Sequence, residues 1–156
     1  MTIELDATDR RLLSLLQKDG KASVGDLAAE LGMSTSPCWR RIRRLEEAGV
    51  ITGYSARLDP KKLGLNALAY VFVTLIDHRE ATLTGFLRMV EAETRIVECS
   101  SITGACDFLL MVAARDPEDL EGWLMKGVLA TDLVRESHTH FVLRRNKTRS
   151  PWPILL

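Results

Sequence analysis

The apolar positions of the first half recur at helical spacing. In TDRRLLSLLQK (8–18), Leu12, Leu13, Leu15 and Leu16 fall at i, i+3 and i+4, which predicts an amphipathic helix with Asp6 or Thr8 as its cap and Gly20 just beyond its end. A second helix is expected to start at Ser23, with Asp26 as its capping-box partner and Leu27, Ala28 and Leu31 on its apolar face. Gly32 follows where the chain must turn sharply, and Ser34 stands where it can cap a third helix. On that helix Cys38, Ile42 and Leu45 share one face, which turns Ser36, Arg40, Arg43, Arg44 and Glu47 the other way. Two helices joined by a tight glycine turn, with the small Ala28 allowing a close crossing, match a helix-turn-helix. Gly49 ends the third helix, and residues 50–58 (VITGYSARL) predict a short strand, the mark of a winged variant.

The pattern changes after DPKKLG (59–64), a polar stretch with a proline and a glycine, which places a linker at 59–65 between an N-terminal domain, 1–58, and a C-terminal domain, 66–156. ALAYVFVTLI (67–76) predicts a strand, and Leu83, Phe86, Leu87 and Val90 predict a helix. RIVECSSI (95–102) and DFLLMVAA (107–114) predict two more strands. Asp116 followed by Pro117 opens a helix with Leu120, Trp123, Leu124 and Val128 inward, before a last strand at 133–143. The order βαββαβ is that of a ferredoxin-like split βαβ sandwich, with two helices on one face of an antiparallel sheet. The fold class expected is therefore α+β. Because Tyr70, Phe72 and Ile76 alternate with Val71, Val73 and Leu75, both faces of the first strand are apolar, and a two-fold dimer would bury the face the helices leave open.

Composition narrows the function classes. A hydrophobic share of 46% and a charged share of 27% are those of a globular domain. No run of eighteen apolar residues and no basic, then apolar, leader is present, so the expected location is the cytoplasm, with no membrane partner. Cys38, Cys99 and Cys106 form an odd set without a C-x-x-C pair, arguing against disulfides and structural zinc. Net charge is zero, with nine basic and eight acidic residues in 1–58 and twelve against thirteen in the rest. Attraction to phosphate must then come from the local cluster RRIRR (40–44), which has no acid until Glu46 and whose charges repel one another unless an anionic partner arrives. A charge run is usually just a solvated face, but the turn geometry favours double-stranded DNA as the partner. The candidate DNA-contacting set is Ser34, Ser36, Pro37, Arg40, Arg41, Arg43 and Arg44, with Arg41 at the margin, where a phosphate or a neighbouring acid would meet it.

Three segments, LDATD before the first helix, GMSTSPCWRRIRRLEEAGVI and LDPKKLG, resemble the Lrp/AsnC (feast/famine) transcription regulators, and the resemblance runs over nearly the whole chain. It implies a sequence-specific DNA-binding regulator whose C-terminal domains pair through their sheets, dimers often assembling into octamers. It also matches Thr103, Gly104, Ala105, Cys106 and Asp107 to the family's glycine-x-x-aspartate loop, which lines an effector site for small amino acids between neighbouring dimers. The chain departs from that pattern at Ala105-Cys106, where many members carry an acid and a tyrosine, so the pocket loses a charge and an aromatic. Read from the residues alone, Gly104 allows close backbone approach, while Asp107 could merely close its own turn.

No nucleophile elbow, Walker sequence, dinucleotide fingerprint or H-E-x-x-H occurs, so neither enzyme activity nor a cofactor is expected. His138 and His140 share a strand face, but two imidazoles without a third ligand do not make a metal site. Two rival readings stand beside the regulator: an architectural DNA-binding protein that senses nothing, and a ferredoxin-like metabolic enzyme or regulatory subunit.

Overall fold

A computed structural model of the chain describes residues 3–147 and 151–154. Its contacts divide it into two units, residues 1–57 with 147–156, and residues 58–146. The described part of the C-terminal tail thus belongs with the first unit rather than with a domain running from 66 to 156. The reason is local: Trp152 donates its N–H to Gln17 Oε1 (2.6 Å), Gln17 Nε2 donates to Trp152 O (3.2 Å), and Ile154 packs on the first unit's core. Residues 1, 2, 155 and 156, the outer limits of the two expected domains, lie outside the described residues.

The first unit has three helices, α1 (Ala7–Lys18), α2 (Val24–Glu30) and α3 (Thr35–Glu47). Asp6 caps α1 in a full capping box with Asp9. At α2, Ser23 Oγ accepts from the Asp26 N–H (3.1 Å) and donates to the Asp26 carboxylate (2.7 Å), so hydroxyl and carboxylate bind each other directly. Gly32 takes the left-handed conformation (φ +66°) that the turn requires. Leu12, Leu13, Leu27, Ala28, Cys38, Ile42 and Leu45 form the core. The expected strand at 50–58 does not form. Val50 and Ile51 both donate backbone N–H groups to Leu45 O (2.9 and 3.1 Å), and Tyr54 reaches back to Glu46 (2.9 Å). A strand exists only within a ladder, and no partner strand lies along this segment among the described residues.

In the second unit a short 3₁₀ turn, Pro60–Leu63, occupies the expected linker, capped by Asp59. Then come β1 (Ala67–Leu75), α4 (Glu80–Ala92), β2 (Ile96–Ser101), β3 (Phe108–Ala114), α5 (Pro117–Trp123) and β4 (Val134–Phe141). Asp116 caps α5 and Pro117 opens it, as expected. That helix does not run on regularly; Leu124–Val128 is a π turn closed by Leu129 N–H to Leu124 O (2.9 Å). The sheet is antiparallel in the order β2-β3-β1-β4, the ferredoxin-like arrangement. Val71, Val73 and Leu75 of β1 are buried with Phe86 of α4, Leu120 and Trp123 of α5, and Leu110 and Val112 of β3.

The opposite side of β1 carries Tyr70, 41% exposed, and half-buried Phe72, paired across β4 with His140 and His138. Thr74 lies on that same side. Its hydroxyl is buried and has no hydrogen-bond partner among the described residues. Replacing an orphaned hydroxyl by a methyl removes its desolvation penalty. Thr74→Val is therefore expected to stabilise the chain by about 1 kcal/mol, seen as a rise of roughly 2–4 °C in melting temperature. A lower melting temperature would mean that the hydroxyl finds its partner in an assembled form.

Candidate nucleic-acid interface and effector loop

Helix α3 is amphipathic by construction. Cys38, Ile42 and Leu45 anchor it in the core, and burial raises the Cys38 thiol above its ordinary range, so this sulfur is packing rather than chemistry. Ser34 sits at the N-cap with extended backbone, but its side chain makes no capping hydrogen bond, contrary to expectation. Pro37, half-buried, falls in the first turn, where its missing N–H leaves no helical bond unmade. Ser36, Trp39, Arg40, Arg43 and Arg44 are exposed.

The four arginines are not equivalent. Arg40 makes no hydrogen bond or ion pair among the described residues. Arg43 pairs with Glu47 through Nε (3.0 Å) and lies over the Trp39 ring, 5.3 Å from its centroid. Arg41 Nη1 sits 2.7 Å from Asp6 Oδ2 and 2.7 Å from Asp9 Oδ1, so at this margin it is the neighbouring acid that meets it. Arg44 Nη2 bonds the other oxygen of Asp9. These contacts raise the Arg41 guanidinium above its usual range, with the Asp6 bond as the leading cause, and the Asp9 N–H followed by Arg41 holds the Asp6 carboxyl below its own. The expectation that RRIRR stays self-repelling until an external anion arrives is corrected here: the start of α1 supplies two carboxylates. Sequence reasoning missed both Asp9 and Trp39. The available signals were the Asp6-x-x-Asp9 box and the i, i+4 spacing of Trp39 and Arg43.

In the second unit the loop between β2 and β3 holds Thr103, Gly104 and Ala105 exposed, with Cys106 and Asp107 half-buried. Gly104 has φ +121°, a conformation open to glycine and strained for other residues. Ile102 N–H donates to the Asp107 carbonyl (2.9 Å) and closes the loop, but the Asp107 side chain does not bond within its own turn. Its Oδ2 accepts the Leu75 N–H at the end of β1 (2.8 Å), and its Oδ1 lies 2.7 Å from His78 Nε2. The His78 contact, ahead of the Leu75 N–H, holds the Asp107 carboxyl below the usual carboxylate range. Each oxygen keeps a lone-pair direction free, so the carboxylate can still accept from a ligand ammonium. His78, 71% exposed, was not singled out from the sequence; it lies 29 positions from Asp107. Among the described residues no group of three His, Cys, Asp or Glu side chains could hold a metal ion, and no helix is long and apolar enough to cross a membrane.

Residues 5–52 match the family described as winged helix-turn-helix DNA-binding, and residues 68–152 match the Lrp/AsnC ligand binding domain. The leucine-responsive regulatory protein of Rhizobium meliloti is 35% identical over 145 residues, 93% of each chain. A transcriptional regulator of Neisseria meningitidis, solved in complex with L-Met, superposes with a TM-score of 0.93 at 28% identity over 97% of both chains. An AsnC family transcriptional regulator from Agrobacterium tumefaciens gives 0.89 at 31% identity, covering 96% of this chain and 97% of its own. With both halves matched in the same order along the chain, this protein belongs to the Lrp/AsnC family of DNA-binding transcription regulators.

Proposed function

We propose that this regulator reads DNA through Ser36, Arg40 and Arg43 on the exposed face of α3, and that a small amino acid bound beside residues 103–107 modulates it through assembly. The observation that carries the first half is Arg40, a guanidinium with no partner among the described residues, on a helix whose neighbouring arginines are all engaged. Ser34 and Pro37 shape the start of that helix, and Arg41 and Arg44 brace it from behind. For the second half, Asp107 offers an acceptor for an ammonium, and exposed loop amides around Gly104 offer donors for a carboxylate. The L-Met complex of the Neisseria meningitidis protein supports an amino acid as the ligand class. The reading places the protein with DNA in the cytoplasm and gives it no enzymatic step.

Fluorescence anisotropy with a duplex selected from genomic fragments tests the DNA half. Arg40→Ala should cost about 1–3 kcal/mol if a base contact is lost, or flatten the salt dependence by about one unit if the contact is to phosphate. Unchanged affinity and slope would overturn it. Repeating the titration with pooled amino acids separates a sensing regulator from an architectural protein, which would show no difference.

The apolar sheet face around Tyr70 and Phe72, left open by α4 and α5, suits a second copy of the same face. The full chain should then sediment as at least a dimer at micromolar concentration, and a monomer would refute the assembly.

A further inference from the structure

We infer that Asp9, together with Asp6, sets the DNA specificity of this regulator by withholding Arg41 and Arg44 from phosphate. The inference rests on the reading of α3 as the DNA-contacting helix. Asp9 is completely buried, and three donors converge on its carboxylate: the Asp6 N–H (3.1 Å) and Arg44 on Oδ2, and Arg41 (2.7 Å) on Oδ1. Asp6 takes a second bond from the same Arg41 nitrogen (2.7 Å). Two carboxylates and two guanidiniums cancel, so this half of the stripe presents no net charge.

That cancellation acts unevenly on the two kinds of DNA binding. Sequence-independent affinity comes from net positive charge displacing counterions from phosphate, whereas base readout depends on a few aligned donors. An arginine already neutralised by a buried carboxylate displaces no counterion unless the pair opens. Opening it would strand Asp9 as a lone charge in the interior, which is far costlier than breaking an exposed pair. The Arg43–Glu47 pair is of the exposed kind, with both side chains more than half accessible, and a phosphate can replace Glu47 there at little cost. Arg41 and Arg44 remain 29% and 48% exposed, so they lie within reach of DNA and would add background affinity if they were released. Asp9 is thus a positioning residue: it holds α3 against α1 and limits the charge that α3 shows to a random sequence.

The test measures the binding of the full-length protein to a selected duplex and a random duplex between 50 and 200 mM salt. Arg40→Gln should weaken selected-duplex binding by about tenfold if it reads a base, or flatten the slope of log K against log salt by about one unit if it meets phosphate, while Arg41→Gln and Arg44→Gln leave the slope within about 0.3 unit of wild type even where affinity changes. Asp6→Asn, at an exposed cap that Asn also fills, and Asp9→Asn should steepen the slope by up to about one unit. They should also raise random-duplex affinity on the order of fivefold and lower the ratio of selected to random binding. A purely structural role for Asp9 would instead weaken both duplexes together at constant slope, and that result would overturn the inference. So would a full unit of flattening in the Arg41 and Arg44 variants. If Asp9→Asn fails to fold, Asp6→Asn and the arginine variants decide. Failure of the underlying reading looks different, for then Arg40→Gln itself leaves both affinity and slope unchanged.

Discussion

Asp107→Asn is expected to abolish the calorimetric response to amino acids while leaving the fold within about 1 kcal/mol of wild type. The asparagine oxygen can still accept the Leu75 N–H that the carboxylate holds at 2.8 Å, so the end of β1 keeps its anchor. The charge that would meet a ligand ammonium is gone. Truncating one partner of a hydrogen-bonded charge pair costs on the order of 3 kcal/mol in binding, more than a hundredfold in Kd. Titration of wild type and mutant with each common amino acid, run beside thermal melts, reads both quantities. Persistent heat in the mutant would remove Asp107 from the site, and no heat from the wild type would mean that Ala105-Cys106 has closed or retuned it. Acid titration gives an independent check. The folded-state carboxyl of Asp107 is depressed, so its contribution to stability is fully present above the unfolded value of about 3.9 and is lost as pH falls through the lower folded value. The mutant should lack that part of the acid-side decline.

Phe86→Ala should destabilise the second unit by about 3–5 kcal/mol, the largest loss expected from any single truncation described. The ring is completely buried between α4 and the sheet, 4.7 Å from the Phe108 ring, among Val71, Val73, Leu110 and Val128. Little room exists for collapse, because the β1 residues behind it are locked by ladders on both sides. Urea unfolding followed by Trp123 emission, in a background with Trp39 and Trp152 replaced by Phe, measures the shift in midpoint at constant m. A loss below about 1.5 kcal/mol would show that neighbouring side chains refill the space.

Much of this architecture is legible because its determinants are local. Asp6, Ser23 and Asp116 lie next to the helices they start, Gly32 lies at the turn it permits, and the apolar periods of α3 and β1 can be read within a dozen positions. What stays hidden depends on distant partners. The segment 50–58 has strand composition but no ladder to join among the described residues, and no local pattern can reveal that absence. Asp9 reads as an ordinary first-turn acid until Arg41 and Arg44, 32 and 35 positions later, close on it. The arginine stripe is visible in the sequence, and its division into Arg40, without a partner among the described residues, and the engaged Arg41, Arg43 and Arg44 is not. Likewise the loop 103–107 is visible, whereas the attachment of Asp107 to Leu75 and His78 needs the sheet. The π turn after Trp123 hides behind a regular apolar spacing that an α-helix would satisfy equally well.

The pairing of Gln17 with Trp152 spans 135 positions, and Ile154 closes over a core whose other members lie within the first 51 residues. This has a consequence for biosynthesis. At a synthesis rate of about 10 residues per second, α1, α2 and α3 emerge and can fold about ten seconds before residues 151–154 do. During that interval the patch that Ile154 later covers stands open to water, and the DNA-binding unit is complete only after the whole intervening sheet has been made. The nascent chain thus carries a nearly finished α3 on an unsealed core, and the last seal comes from residues 151–154, which are made only after the sheet.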